Sequence, residues 1–264
     1  SNPDLQYAVE KSRIRWLEQE GLTLEALTAL ARLYESYQRS RRHPQRGAEL
    51  AMELGIMLDR SGHKPEALKL FRSAAARYQR LGQTYNRAAA VFNGASVQYD
   101  LGRIGPSLRS CQQALQEGGA GHPDLEAHIT LQMANSLEAE GDLASASDCY
   151  QKAADGYRRL NNRKQESNIR YRVGWLSLQG GRTAEAEPEL QQALQIKREH
   201  DYGEGLARYH LHRAESYRTA GLPELARYHY RACLGLGVAL GAESLATRAR
   251  FGLCLVAGAH KRSL

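Results

Sequence analysis

A glycine that recurs about every forty residues constrains this chain more than any other feature. Successive copies are separated by 41, 40, 39, 40 and 40 residues: Gly21, Gly62, Gly102, Gly141, Gly181 and Gly221. A fixed step of about 20–50 residues is typical of repeat architectures, in which each unit buries its apolar face against the next unit. The sequence therefore predicts one elongated array of similar units.

Each unit contains two amphipathic helices on either side of its turn glycine. In the second repeat Gly55 and Leu58 precede Gly62, and Ala67 and Phe71 follow it. Apolar residues recur at helical spacing throughout, and no stretch shows sustained strand alternation. A small residue such as Gly55 lets the two helices approach closely, and Phe71 fills the remaining space. We therefore expect an all-α chain, with Tyr150 and Tyr230 buried at the same position as Phe71.

The period divides the chain into six helix pairs and a final single helix, all in one domain over residues 1–264. The predicted units are about 5–40, 45–82, 85–119, 123–160, 164–200 and 204–240, with a capping helix at 243–257. The first repeat is expected to have a polar outer face. The glycine-rich segment 117–123 is expected to be a flexible joint. The start, Ser1-Asn2-Pro3-Asp4, lacks an initiator Met, which favours a piece of a larger protein.

The composition argues against several classes of protein. No segment approaches the roughly 18 consecutive apolar residues of a membrane helix. The cysteines are widely spaced and form no CxxC pair: Cys111, Cys149, Cys233 and Cys254. We expect reduced core thiols and a cytoplasmic location. The excess of Arg over Lys, with many Ala and Gly residues, favours a bacterial source.

No motif that could place a reacting group is present. The chain has no GxSxG, no HExxH and no kinase-like set, and its carboxylates fall on polar helix faces or in turns. His210 and His212 are two residues apart on a helix, so they point to different faces and are not expected to chelate one metal ion. The chain is predicted to be non-enzymatic, without a cofactor or a metal.

The repeated pattern resembles the tetratricopeptide repeat. A small residue lies seven positions before the turn glycine, and Ala67, Phe71 and Ala74 show the family's spacing of five, nine and twelve after it. The step near 40 resembles the long-helix variant of scaffold proteins and of sensor regions in bacterial transcription regulators. The resemblance implies a right-handed superhelix (α-solenoid) whose first helices line a concave groove for extended or helical peptides.

The family's groove positions carry a row of amide, aromatic and basic side chains in this sequence. The peptide-binding residues that the resemblance implies are Asn93, Tyr99, Gln132, Asn135, Asn168, Arg172, Trp175, Arg208, His212 and Arg248. Amides both donate and accept hydrogen bonds, and Arg can bind a carboxylate through two of them. The resemblance thus implies a protein or peptide partner that is acidic or bears a carboxylate.

The leading hypothesis is a non-enzymatic protein- or peptide-binding scaffold, serving as the sensor or assembly domain of a bacterial regulator. A nucleic-acid-associated protein is the alternative, because the pI is about 9.3 and Arg39–Arg46 is strongly basic. A solvated basic loop is the simpler interpretation of that segment. Self-association through an end helix or the groove stays open, and Trp175 is explained as well by helix packing as by ligand contact.

Overall fold

The computed structural model describes residues 3–40, 42–180, 182–200 and 202–260. Within these ranges the protein has 13 α-helices and no strand, so the predicted all-α class is confirmed. None of the helices described combines the length and apolarity needed to cross a membrane. The helices are α1 (Pro3–Gln19), α2 (Thr23–Tyr37), α3 (Pro44–Arg60), α4 (Lys64–Arg80), α5 (Thr84–Asp100), α6 (Ile104–Ala114), α7 (Pro123–Glu140), α8 (Leu143–Arg159), α9 (Arg163–Gln179), α10 (Thr183–Glu199), α11 (Gly203–Thr219), α12 (Pro223–Ala239) and α13 (Glu243–His260).

The chain forms two compact units, Ser1–Cys149 and Tyr150–Leu264, and the division falls inside α8. In the first unit each of the helices α1 to α6 packs on the helix that follows it. In the second unit the same holds from α9 to α13. Sequential packing of this kind is what a helical repeat requires. The single domain over residues 1–264 and the superhelical path stay predictions.

The turn inside each helix pair depends on glycine. Gly62 has a φ of +84°, a left-handed conformation that glycine adopts without a Cβ penalty. The His63 N–H then donates to the Leu58 carbonyl at 2.8 Å, which satisfies a carbonyl group at the end of α3. The equivalent glycines that are described are also left-handed: Gly21, Gly102, Gly141 and Gly221. Gly181 lies outside the described residues.

The turns between helix pairs form a second left-handed series, which the sequence analysis did not identify. Positive φ angles occur at Gly82, Gly121 and Gly241, and also at Asn161, with a φ of +54°. Asn is the non-glycine residue that tolerates this conformation best, because its short polar side chain can hydrogen-bond locally. Left-handed turns therefore mark both the inner and the outer connections of the repeat.

The core is built from a small residue on the first helix of a pair and a large residue on the second. A Cβ added to Gly55 would lie 2.8 Å from Cε1 of Phe71, whose side chain is only 2% exposed. In the second unit a Cβ on Gly174 would lie 2.6 Å from Cγ of the fully buried Leu190. Tyr150 and Tyr230 are also buried, as predicted.

The outer side of α1 differs from its prediction. Leu5, Val9 and Trp16 are 64%, 56% and 54% exposed. Their spacing of four and seven residues puts them on one side of the helix, and no described helix covers that side. The expectation of a polar outer face was therefore wrong, because only the opposite side of α1 is needed to pack on α2.

The cysteines also divide by position. Cys111 and Cys233 are buried, as predicted, and Cys149 is half-buried. Cys254 is exposed, so its assignment to the core was wrong. It lies on α13, where only the side that faces α11 and α12 is covered.

The glycine-rich segment after α6 is a packed turn. Leu115–Gly119 forms a π-helical turn, and the Arg87 guanidinium pairs with the Glu117 carboxylate at 2.8 Å. A Cβ on Gly118 would lie 2.7 Å from the Thr84 carbonyl oxygen, and one on Gly119 would lie 2.6 Å from Cδ1 of Ile129. The glycines predicted to give an open joint instead allow α5 and α7 to approach the segment closely.

Replacing Gly174 with Ala should destabilise the protein. The added methyl group would overlap Leu190, and overpacking of a filled core typically costs about 1–3 kcal/mol, against a gain of at most about 1 kcal/mol in helix propensity. Urea unfolding followed by circular dichroism measures the change. The matched control is Gly235→Ala on α12, where an added Cβ has no atom within 4 Å. Equal stability of the two variants would contradict the packing role of Gly174.

Candidate functional site

Six of the ten predicted site residues lie on the first helices of the second unit. They are Asn168, Arg172 and Trp175 on α9, Arg208 and His212 on α11, and Arg248 on α13. Asn168, Arg208 and Arg248 are separated by 40 residues each, so they occupy equivalent positions of successive repeats. The repeat period therefore places these three side chains at the same position of successive first helices.

An aromatic cluster joins α9 to α11. The Trp175 ring lies 5.6 Å from the His212 ring between centroids, and the Tyr171 ring lies at the same distance from His212. Tyr171 also contacts Tyr209 edge-on at 5.7 Å. Trp175 is half-buried. Trp175 therefore packs on α11, and its contact with a ligand stays a prediction.

His212 shows that positive charge converges on this cluster. Burial lowers the pKa of the His212 imidazole, and the charges of Arg248, Arg172 and Arg208 lower it further. The Glu215 carboxylate acts in the opposite direction. The neutral form of His212 is therefore favoured, and the charges of the three predicted arginines all reach its imidazole.

The three predicted arginines of the second unit differ in their ion-pair partners and all are exposed. Arg208 donates from Nη2 to Oε1 of Glu204 at 2.6 Å, one turn earlier on α11. Arg248 is exposed and has no carboxylate partner among the described residues. Arg172 is also exposed. Of these arginines, Arg248 thus presents its guanidinium group to solvent without a carboxylate partner among the described residues.

A cleft of about 580 Å³ opens beside Trp175. Trp175 and Leu178 of α9 form one wall, and residues of α11 that include Arg213 and Tyr217 form the other. Arg213 is only 5% exposed, lies 4.7 Å above the Tyr217 ring and pairs with Glu187 at 3.1 Å. This wall was missed from the sequence, although the four-residue spacing of Arg213 and Tyr217 places them on one side of α11.

Asn168 is engaged inside the protein. Its Oδ1 accepts a hydrogen bond from Nζ of Lys197 on α10 at 2.6 Å. Lys197 is 3% exposed, and burial together with the charge of Lys164 lowers its pKa to about 8. The Asn168 amide oxygen therefore serves a buried lysine, which weakens its assignment to ligand binding.

Lys197→Met should stabilise the protein at pH 7. Because the folded-state pKa of Lys197 is about 8 and the ordinary value is 10.5, wild-type stability contains a term that is present above pH 10.5 and is lost as the pH falls to 8. The advantage of the variant should therefore be largest below pH 8 and shrink toward pH 10.5. Urea unfolding of both proteins from pH 7 to 10.5 measures it, and a pH-independent difference would contradict the burial of the cation. Lys152→Met, at an exposed position of α8, is the control.

The other four predicted residues lie in the first unit. The Asn93 amide contacts the Met52 sulfur at 3.7 Å, between α5 and α3. The Gln132 Nε2 atom is buried and has no hydrogen-bond partner among the described residues. Tyr99 and Asn135 are half-buried. That these residues continue the surface of the second unit as one groove stays a prediction.

A pair of histidines, His210 buried and His229 half-buried, was missed from the sequence. The Nδ1 atoms of His210 and His229 are 2.9 Å apart, and the Tyr217 ring stacks on His229 at 5.4 Å. Burial lowers both histidine pKa values to about 4. His210 thus faces α12 while His212 faces α9. In the described part of the chain no group of three His, Cys, Asp or Glu side chains could hold a metal ion.

Arg248→Gln should raise the pKa of His212. Removing one of the cationic side chains that act on the imidazole leaves burial and two arginines to hold the pKa down. The His212 Cε1 proton, followed by NMR from pH 4 to 8, reports the change. Arg250→Gln, a neighbouring exposed substitution on α13, should leave the pKa unchanged. An unaltered pKa in Arg248→Gln would contradict the convergence of charge on His212.

Comparison with known proteins identifies the repeat. The tetratricopeptide repeat family model matches residues 125–199. No curated protein matches the chain. Among solved structures the chain is similar to BtubC (BKLC) from P. vanneervenii, with 18% identity, a TM-score of 0.71, and 83% of this chain and 92% of that chain covered.

Two Rap structures are similar along nearly the whole chain. The apo form of RapI is 9% identical, with a TM-score of 0.71, and covers 97% of this chain and 99% of its own. A Rap protein complexed with competence and sporulation factor is 12% identical, with a TM-score of 0.61, and covers 98% of this chain and 77% of its own. At such identities the likeness shows the fold. The protein therefore has a tetratricopeptide-like helical repeat fold, and its segment 125–199 matches that family directly.

Proposed function

We propose that this protein is a non-enzymatic binding scaffold and that the first helices of its second unit, α9, α11 and α13, hold an acidic segment of a partner protein or peptide. The observation that carries the proposal is the convergence of Arg172, Arg208 and Arg248 on His212, beside Trp175. Of the two arginines on α11 and α13, Arg208 pairs with Glu204, and Arg248 is exposed. A ligand with negative charge would relieve their mutual repulsion.

The chemistry of the surface favours carboxylates next to an apolar side chain. Arg binds carboxylates through paired, charge-assisted hydrogen bonds. The half-buried face of Trp175 and the adjoining cleft of about 580 Å³ suit an apolar side chain of the same segment. Neutral His212 can accept a hydrogen bond from the partner's backbone.

The comparisons support a binding role in coarse terms. The family match at residues 125–199 includes α9, which carries Arg172 and Trp175. A Rap protein of similar fold was solved in complex with competence and sporulation factor. We extend the proposal to a sensor or assembly domain of a bacterial, cytoplasmic regulator, in which binding of the segment reports to other parts of the protein.

Titration of a labelled acidic peptide tests the proposal. The probe is fluorescein-Glu-Glu-Phe-Glu-Glu, its Gln-Gln-Phe-Gln-Gln counterpart tests the charge requirement, and binding is followed by anisotropy. Arg172→Gln and Arg248→Gln should each weaken binding about tenfold, as expected for loss of a charge-assisted contact. Arg208→Gln should have a smaller effect, because Arg208 already pairs with Glu204.

The controls separate this surface from general charge. Arg250→Gln should bind as the wild type does, and Asn135→Ala tests whether the first unit takes part. Equal binding of the acidic and the amide peptide, or equal losses in Arg250→Gln and Arg248→Gln, would contradict the proposed site.

A further inference from the structure

A second charged cleft lies in the first unit, and none of the residues proposed above lines it. It has a volume of about 470 Å³ and is formed by residues 38–40 after α2, by Pro44 at the start of α3 and by the end of α4. Three arginines line it together with small and apolar residues: Arg39, Arg77, Arg80, Ser40, Pro44 and Leu81. No carboxylate belongs to its described lining.

None of the three guanidinium charges is neutralised by a carboxylate in the described part of the chain. Arg77 donates from Nη2 to the Gln38 carbonyl at 2.7 Å and from Nε to the Ser73 hydroxyl at 3.3 Å, both of which are neutral groups. Arg80 donates from Nε to the Ala76 carbonyl at 3.2 Å, which leaves its terminal nitrogens to solvent. Arg39 has no hydrogen-bond or ion-pair partner among the described residues and is exposed.

The cleft also has a hydroxyl donor. Ser40 Oγ accepts the backbone N–H of His43 at 3.2 Å, so its own O–H is available to a ligand. Arg77 holds the Gln38 end of this connection against α4, which fixes the loop near Arg39 and Ser40. The cleft is therefore lined by hydrogen-bond donors of Arg39, Arg80 and Ser40 that a ligand could use. The guanidinium group of Arg77 adds a further positive charge to this lining.

We propose that this cleft binds a phosphorylated segment of a partner protein. A phosphate monoester carries about −1.5 to −2 charges at pH 7 and three acceptor oxygens, which matches several guanidinium groups better than a single carboxylate does. Clustered arginines are a recurring solution for phosphorylated motifs. The site is local and has no aromatic residue in its lining for base stacking, so it suits one phosphoryl group rather than a nucleic-acid strand.

Two arginines of the basic segment Arg39–Arg46 have different roles in the structure. Arg46 pairs with Asp4 at 2.5 Å and lies 4.4 Å above the Tyr7 ring, so it stabilises the packing of α1 on α3. Arg39 turns toward the cleft instead and joins residues of α4. The phosphate site therefore does not rest on the local density of charge in the sequence.

Peptide binding tests the proposal. The probes are fluorescein-labelled Ala-Gly-phosphoSer-Gly-Ala, the same peptide with Ser, and a labelled 12-nucleotide oligo(dT), each titrated by anisotropy against the wild type. The phosphopeptide should bind at least about tenfold more tightly than the Ser peptide, and Arg39→Gln and Arg80→Gln should each weaken it about fivefold to tenfold. Both residues are exposed, and circular dichroism confirms that the variants fold.

Arg109→Gln is the matched control, because Arg109 is an exposed arginine on another second helix, α6, outside the cleft. It should bind the phosphopeptide as the wild type does. Equal binding of the phosphorylated and unphosphorylated peptides would overturn the proposal, and so would equal losses in the Arg109 and Arg39 variants. Binding of oligo(dT) that is lost in Arg39→Gln, without binding of the phosphopeptide, would assign the cleft to nucleic acid instead. Arg248→Gln should leave phosphopeptide binding unchanged, so this result is independent of the site in the second unit.

Discussion

The close contact between a glycine on the first helix and a large residue on the second, seen in the pairs α3–α4 and α9–α10, is the constraint on which the structure depends. Gly55 leaves room for the Phe71 side chain, and Gly174 leaves room for the Leu190 side chain. A methyl group added to either glycine would overlap that side chain. This contact fixes the distance and the rotation of the two helices. The same rotation determines which first-helix positions face away from the second helix. The residues that hold the core therefore also determine which side chains lie on the proposed binding surface.

Arginines serve two different purposes in the second unit, and their partners distinguish them. Arg170 is buried and contacts carboxylates of Glu166, Glu189 and Asp155 at 3.0–3.4 Å, so its charge is compensated within the protein. Arg248 is exposed and lacks such a partner among the described residues, yet its charge reaches the half-buried His212. Buried charges are retained in proteins when they are paired. Arg170 therefore serves the packing of the second unit, whereas a role for Arg248 in ligand binding stays a proposal.

The repeat period was sufficient to predict the helix pairs and the alignment of Arg172, Trp175 and His212, because all three depend on the position of a residue along one helix type. Contacts to the second helices were not predictable in the same way. The partnership of Asn168 with Lys197 depends on how α10 packs on α9 and on the conformations of long side chains. A repeat pattern specifies the small and apolar positions of a second helix and leaves its polar contacts open.

The glycine-rich turn after α6 shows how composition can mislead about mechanical properties. Gly118 and Gly119 are in close contact with Thr84 and Ile129, and Ala120 N–H donates to the Leu115 carbonyl at 3.0 Å. A segment that would ordinarily be chosen for an insertion, a protease site or a circular permutation is thus one of the least replaceable stretches of backbone in the first unit. Engineering that lengthens this protein should therefore leave the turn intact and add whole repeats.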